Sequence, residues 1–257
     1  MSLLFASILP VIILALYIYN KDKDKEPIGL LVKLFFGGVG SLFITLIISL
    51  ILGFIFPSIL SDTASLDFID LFFHVFIGVA LVEELSKWLV LYNTSYNHYE
   101  FDQVFDMIVY SAFVALGFAC FENILYVYEN GMSTAVIRGL LAVPGHFCDG
   151  IFMGYYLSMA KVCDINKNFS SKRKNMFLSL FIPMMLHGIY DFCLFSGNFG
   201  FILIFFVFII ILYIKSFKRI KKMSSENKML KYSNRYCPNC GASVKTDYCT
   251  GCGCKNE

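Results

Sequence analysis

Charge is what this sequence has least of. Only 16% of its 257 residues are Asp, Glu, Lys or Arg, against about 25% in a soluble domain. Apolar residues make up 58%, with 28 Phe among them, and the mean hydropathy is +0.68. That shortage excludes an ordinary soluble domain and indicates a polytopic membrane protein. The first apolar run, Leu3 to Tyr19, lacks a basic n-region and an A-x-A-like site. It therefore reads as a retained span, not a cleaved signal. An internal repeat and a low-complexity segment are also missing, so a repeat array is not indicated. The H-E-x-x-H motif is absent, which removes the familiar helix-borne zinc protease signature.

What is present is a series of apolar runs. A bilayer crossing needs about 20 apolar residues in a helix. Polar breaks leave about seven such spans: Leu3–Tyr19, Ile28–Phe56, Phe68–Tyr92, Val104–Tyr128, Thr134–Ala160, Met176–Phe195 and Phe199–Ile214. Glycines 37, 38, 40 and 53 punctuate the second span and let neighbouring backbones approach. The fifth span reads as a short interfacial helix, Thr134–Val143, broken at Pro144-Gly145, then an inward helix, His146–Ala160. Three basic segments, Lys21–Lys25, Lys161–Lys174 and Lys215–Lys222, fall on one side of this arrangement. The loop Ser58–Asp67 has no Lys or Arg and falls on the other. The positive-inside rule then predicts a multi-pass plasma-membrane protein with its N-terminus outside and its C-terminus in the cytoplasm.

Against that apolar background, a few polar groups stand out. Val82-Glu83-Glu84-Leu85-Ser86-Lys87 lies inside the third span. Charged residues at a helix centre cost at least about 2.5–3.5 kcal/mol each, so they mark function by default. Lys87 lies on the same helix face as both acids, at i+4 and i+3, and can neutralise one of them. A second carboxylate is left over. Glu122, in Phe118-Ala119-Cys120-Phe121-Glu122, has no cation nearby in sequence, so its partner comes from another helix. His146 follows Pro144-Gly145, with Asp149 three residues on. His187 and Asp191 are i and i+4 in the sixth span, where the carboxylate can orient the ring. Packing explains Glu122 or His146 as well when each is taken alone, but it leaves the surplus carboxylate of the Glu-Glu-Lys cluster unaccounted for. His74 and His98 read as structural or solvent-facing. Four spans offering carboxylates or imidazoles to one bundle indicate a wet polar chamber. A carboxylate base on water and an imidazole donor suit peptide hydrolysis. A proton-coupled transporter or a non-catalytic membrane scaffold would draw on the same residue types. The geometric discriminator is whether Glu83, Glu122, His146 and His187 surround one water-sized site or string out along a path.

These motifs resemble those of the PrsW family of membrane-embedded proteases, which is related to the type II CAAX prenyl endopeptidases. The matching residues are Glu83-Glu84-x-x-Lys87, Phe118-x-x-x-Glu122 and His187-x-x-x-Asp191, with Asp24-Lys25-Glu26-Pro27 after the first span and His146 as a further histidine. The resemblance covers nearly all of residues 1–217. It implies a glutamate-dependent, metal-independent intramembrane peptidase making the site-1 cut in a membrane-anchored, single-pass anti-sigma factor, as part of a stress response. It implies Glu83 as the base, Glu84 held beside it by Lys87, Glu122 positioning the water, and His187 with Asp191, and His146, at the oxyanion. The CAAX branch carries His in place of Glu122 and Asn in place of Asp191, so this chain sides with PrsW.

Five of the nine cysteines crowd into the last 21 residues. Cys237-x-x-Cys240-Gly and Cys249-x-x-Cys252-Gly match one another. Four thiolates at this spacing predict a closed structural Zn2+ site whose metal supplies the folding free energy. A cytoplasmic location argues against disulfides. The tail resembles a bacterial zinc ribbon, which suits a protein partner; nucleic acid is not indicated. The expected organisation is an all-α polytopic membrane protein with a small C-terminal zinc ribbon: transmembrane domain 1–222, linker 223–235 and ribbon 236–257.

Overall fold

The computed structural model describes residues 2–56, 63, 66–230, 235–237, 239–244 and 248–255. Most of the Lys-free loop 58–67, and linker residues 231–234, lie outside the described residues.

The protein is a bundle of helices. They are α1 (Leu3–Lys21), α2 (Ile28–Ile55), α3 (Phe68–Phe73), α4 (Val82–Ser95), α5 (Asp106–Asn130), α6 (Met132–Leu140), α7 (Ala142–Ile165), α8 (Phe169–Phe195) and α9 (Phe199–Ser225). A π-helical segment, His74–Leu81, joins α3 to α4 without a break. Among the described residues, six stretches are long and apolar enough to cross a membrane, α6 and α7 counting as one. The continuous helix 68–95, which is not among those six, carries the Glu-Glu-Lys cluster where the hydropathy pattern predicts a further span. The structure thus has the helical class and span order read from the hydropathy pattern. The break in the fifth span falls at Leu141, with φ of −118°, three residues earlier than expected. Pro144 instead sits in the first turn of α7, where its missing N–H breaks no helical bond.

α5 and α7 form the interior, and the other long helices wrap them. α2 meets α5 with almost no side chain between them. A Cβ added at Gly38 would lie 2.0 Å from Val114 O, and one added at Gly117 would lie 1.9 Å from Phe35 O. Each glycine thus accommodates the other helix's backbone, the close approach that small residues permit in lipid. The outer faces of α1, α2 and α9 carry exposed Leu, Ile and Phe, as lipid contact requires.

The basic segments gather at one end of the bundle. Ser224 Oγ donates to Lys21 O (2.5 Å), joining the ends of α9 and α1. Lys161 Nζ donates to Asn97 Oδ1 (3.1 Å), joining α7 to the turn after α4. At this end Asp22, Glu26 and Asp106 are all buried. Tyr110 donates its hydroxyl proton to Glu26. Burial pushes the Glu26 carboxyl up to about 8.

The chain after α9 is strapped to the same end. Val104 N donates to Lys228 O (3.0 Å), and Leu230 N donates to Asp102 O (2.6 Å). Asn227 Oδ1 accepts from Phe105 N (3.0 Å). Beyond the strap, two-residue strands β1 (Arg235–Tyr236) and β2 (Ser243–Val244) pair antiparallel.

Candidate active site

One cavity of about 570 Å³ gathers the acids and imidazoles of four helices. α4 supplies Glu83, α5 supplies Glu122, α7 supplies His146 and Asp149, and α8 supplies His187 and Asp191. The π-helical segment ends just before Glu83; such wide turns recur at functional sites. Glu122 precedes the end of α5 by eight residues, about 12 Å at about 1.5 Å per residue. The cavity therefore lies toward the end of the bundle away from the basic segments.

The adjacent acids have different surroundings. Glu84 is fully buried. Its Oε1 accepts from Lys87 Nζ at 2.7 Å and pairs with His187 Nδ1 at 2.9 Å. Glu83 has a side chain 13% exposed and lines the cavity. Its Oε2 has no hydrogen-bond partner among the described residues. Lys87 Nζ and His187 Nε2 stand off from it at 3.5 Å and 3.9 Å.

Lys87 is the hub between helices. Its ammonium lies 3.2 Å from His146 Nδ1 and 3.8 Å from the centre of the Phe118 ring. An ammonium only donates, so Nδ1 accepts and the ring proton sits on Nε2. His146 Nε2 then donates to Glu122 Oε2 at 3.0 Å. His187 has Glu84 on Nδ1 and Asp191 Oδ2 on Nε2, the latter at 3.2 Å. The i, i+4 spacing in α8 thus places His187 and Asp191 in contact. The donor atoms of Glu83, Glu122 and His146 all lie within 4.8 Å of one another. The groups surround one site and do not string out along a path.

Two sets of donors have the composition of a metal site. Glu84, His146, Asp149 and His187 converge within 4.8 Å, all buried. The Lys87 ammonium, on Glu84 and His146, already occupies the place of a cation there. The second set, Glu83, Glu122 and His146, borders the cavity. Two carboxylates and an imidazole with an open side fit a three-ligand catalytic metal.

Sequence reasoning did not pick out Arg138. It projects from α6 and donates from Nη2 to Glu122 Oε2 at 2.6 Å and from Nε to Asn123 Oδ1 at 3.2 Å. A signal was available. Arg138 is the one Lys or Arg between Lys87 and Lys161, and a lone cation in an apolar stretch implies a buried anion. The orphan carboxylate and its cation were both visible; their pairing across 16 residues was not. Asp149 was noted only as a neighbour of His146, yet it is buried and its Oδ1 has no partner among the described residues. His74, read as structural or solvent-facing, lines the cavity wall. His98 stays in the turn after α4, stacked on Tyr99.

In the tail, Cys237, Cys240, Cys249 and Cys252 converge with all four sulfurs within 4.8 Å of one another. Sγ–Sγ separations of 3.5 Å (Cys237–Cys252) and 3.3 Å (Cys240–Cys249) are far longer than a disulfide bond. The four can hold a metal.

Comparison with known proteins agrees with the geometry. A family profile described as PrsW family intramembrane metalloprotease matches residues 26–214. A Protease PrsW from Oceanobacillus iheyensis is 39% identical over 230 residues, covering 90% of this chain and 99% of the relative. Protease PrsW from Bacillus subtilis is 35% identical over 232 residues, with 89% and 98% covered. The Clostridioides difficile protein of that name is 31% identical over 239 residues, with 91% and 96% covered. No solved structure matches. The family's description as a metalloprotease bears on the second donor set, where the resemblance implied a metal-independent site. A match over most of the chain, joined to a polar chamber inside a membrane bundle, means that this protein belongs to the PrsW family of intramembrane proteases.

Proposed function

We propose that the protein hydrolyses a peptide bond of a single-pass membrane protein with a water activated by Glu83. The observation that carries this reading is the contrast between the two adjacent acids. Each has a buried Oε2 with no hydrogen-bond partner among the described residues, but Glu84 is held through its Oε1 by Lys87 and His187, while Glu83 lines the cavity. Glu83 takes a proton from water. The resulting hydroxide oxygen attacks the carbonyl carbon, and His187 Nε2–H turns from Asp191 to donate to the developing oxyanion, the ring held at Nδ1 by Glu84. The tetrahedral intermediate collapses as the proton on Glu83 passes to the leaving amine nitrogen. Glu122 and His146 form the facing wall and position the water.

The basic ends of α1, α7 and α9 lie together, which supports a cytoplasmic placement for that end and an extracytoplasmic mouth for the cavity. A cut near the outer face suits the site-1 step on a membrane-anchored anti-sigma factor. The tail cysteines then lie in the cytoplasm, where four thiolates at this spacing favour structural zinc and a protein partner for the ribbon.

A second reading is favoured by the convergence of Glu83, Glu122 and His146. These three would hold a divalent metal, whose chemistry there would be polarisation of water and of the scissile carbonyl.

The test is Glu83→Gln in proteoliposomes with a cleavable single-pass substrate, with and without chelator. The expected loss is about 10²–10⁴-fold, the range for a general base, with folding retained. Full activity of the Gln variant sinks the base assignment. Repeating the chelator arm with the tail cysteines replaced by Ser separates the two candidate metal sites. Inhibition that survives that replacement favours the second reading.

A further inference from the structure

Arg138 has a position that its sequence context does not explain. α6 is nine residues long and lies between two breaks, Gly131 at φ +84° and Leu141. Its partly buried arginine turns inward. Among the described residues lining the cavity, Arg138 is the single Lys or Arg. Its guanidinium lies 3.9 Å from the centre of the Tyr126 ring. Two of its nitrogens grip successive residues of α5, Glu122 at 2.6 Å and Asn123 at 3.2 Å. Asn123 is itself anchored, because its Nδ2 donates to Ser7 O of α1 at 2.9 Å.

Glu122 Oε2 therefore accepts from Arg138 on one side and from His146 on the other, at 2.6 Å and 3.0 Å. A carboxylate oxygen that accepts from both a guanidinium and an imidazole has little freedom to turn, the more so when the guanidinium is anchored on the next residue of the same helix. A planar guanidinium fixes direction as well as charge, which an ammonium does not. We propose that Arg138 is a positioning residue of the hydrolysis: it pins Glu122, and through Glu122 the ring of His146, on the wall that faces Glu83. This rests on the reading of Glu83 as the base. The α6 helix thus contributes to the site without touching the scissile bond. The chain of contacts runs from Ser7 through Asn123, Arg138 and Glu122 to His146, across α1, α5, α6 and α7.

The experiment is a double-mutant cycle on the full chain in proteoliposomes. The probe is a single-pass peptide with a fluorophore pair across its outer juxtamembrane segment, chosen because the unaltered protein cleaves it. R138Q is expected to lower kcat about 10–100-fold, the range for removing a partner that orients a reacting group, with KM changed less than about threefold. R138K should recover part of the loss, since one ammonium can still reach Glu122. In an E122Q background R138Q should cost less than about threefold, because residues acting through one another are not additive. If R138Q does not fold, R138K and R138K/E122Q carry the same cycle. Independent, multiplying effects of the two substitutions overturn the proposal. So does a raised KM with kcat kept, which makes Arg138 a substrate contact. Equal activity of R138K and R138Q overturns it as well. E83Q is measured beside them: full activity there removes the base assignment but leaves the Arg138–Glu122 coupling readable on its own.

Discussion

The outer and inner helices of this bundle have opposite surroundings and opposite compositions. Within the most apolar stretch of each helix, 17% of residues are buried for α1 and also for α2, against 72% for α5. The peripheral helices are the more apolar ones. α5 and α7, at the centre, carry Asp106, Ser111, Glu122, Asn123, His146, Asp149 and Ser158. In water the order would be reversed. In lipid, an apolar side chain gains nothing by moving from the tails to the interior, while a polar one gains its partners there. Hydropathy in such a chain thus reports contact with lipid, and its local failures mark the interior.

Substitutions at matched positions sharpen that contrast. The largest effect is expected where inner and outer helices touch without side chains. Gly117→Val puts carbon where Phe35 O already lies, 1.9 Å from a built Cβ. The α2–α5 contact is lost, at about 3 kcal/mol or more, read as a lowered thermal midpoint in detergent. An unchanged midpoint shows that the two helices can separate freely.

Next in size is the tail. Cys237→Ser removes one of four converging thiols. A metal on the four thiols would supply the tail's folding free energy, so bound metal should fall by about one equivalent and the tail should become protease-sensitive. The bundle's thermal midpoint should stay in place. Loss of the bundle with the metal would show that the strap at Asn227–Leu230 is a structural necessity.

A smaller effect concerns Glu26, at the basic end. Its carboxyl is raised by burial to about 8 in the folded state, against about 4.3 in an unfolded chain. Between those values the folded state holds the extra proton. Stability contributed by Glu26 is therefore full at low pH and is lost as pH rises from about 4 toward about 8. Glu26→Gln should flatten the fall of the thermal midpoint across that window. An unaltered slope would place the titration elsewhere.

The smallest effect belongs to the lipid face. Phe54, 91% exposed on α2, can become Ala with less than about 0.5 kcal/mol of change in the thermal midpoint's free energy. A large loss there would mean that this face is covered by protein.

How legible the site was follows the same division. Glu83, Glu84, Lys87, Glu122, His146, His187 and Asp191 could be read from the sequence because each is polar in an apolar run, and that is a local property. The i, i+4 pairing of His187 with Asp191 could be read from helix periodicity. Arg138 was missed because its meaning lies in a contact between α5 and α6, and no spacing rule encodes such a contact. The true break at Leu141 was missed because Pro144 attracted it, although a proline in a first turn starts a helix as readily as it stops one.

By itself the sequence determined a helical membrane bundle, with acids and imidazoles on four of its apolar runs and a cysteine-rich tail. Apolar run length, charge placement and short-range spacing suffice for that. Only the tertiary structure decided which of two adjacent glutamates faces the cavity. That choice depends on the rotation of α4 and on partners from elsewhere: Lys87 and His187 hold Glu84, and Arg138 and His146 hold Glu122. Carboxylates of equal chemistry become unequal through the cations around them, and helices remote in sequence supply most of those.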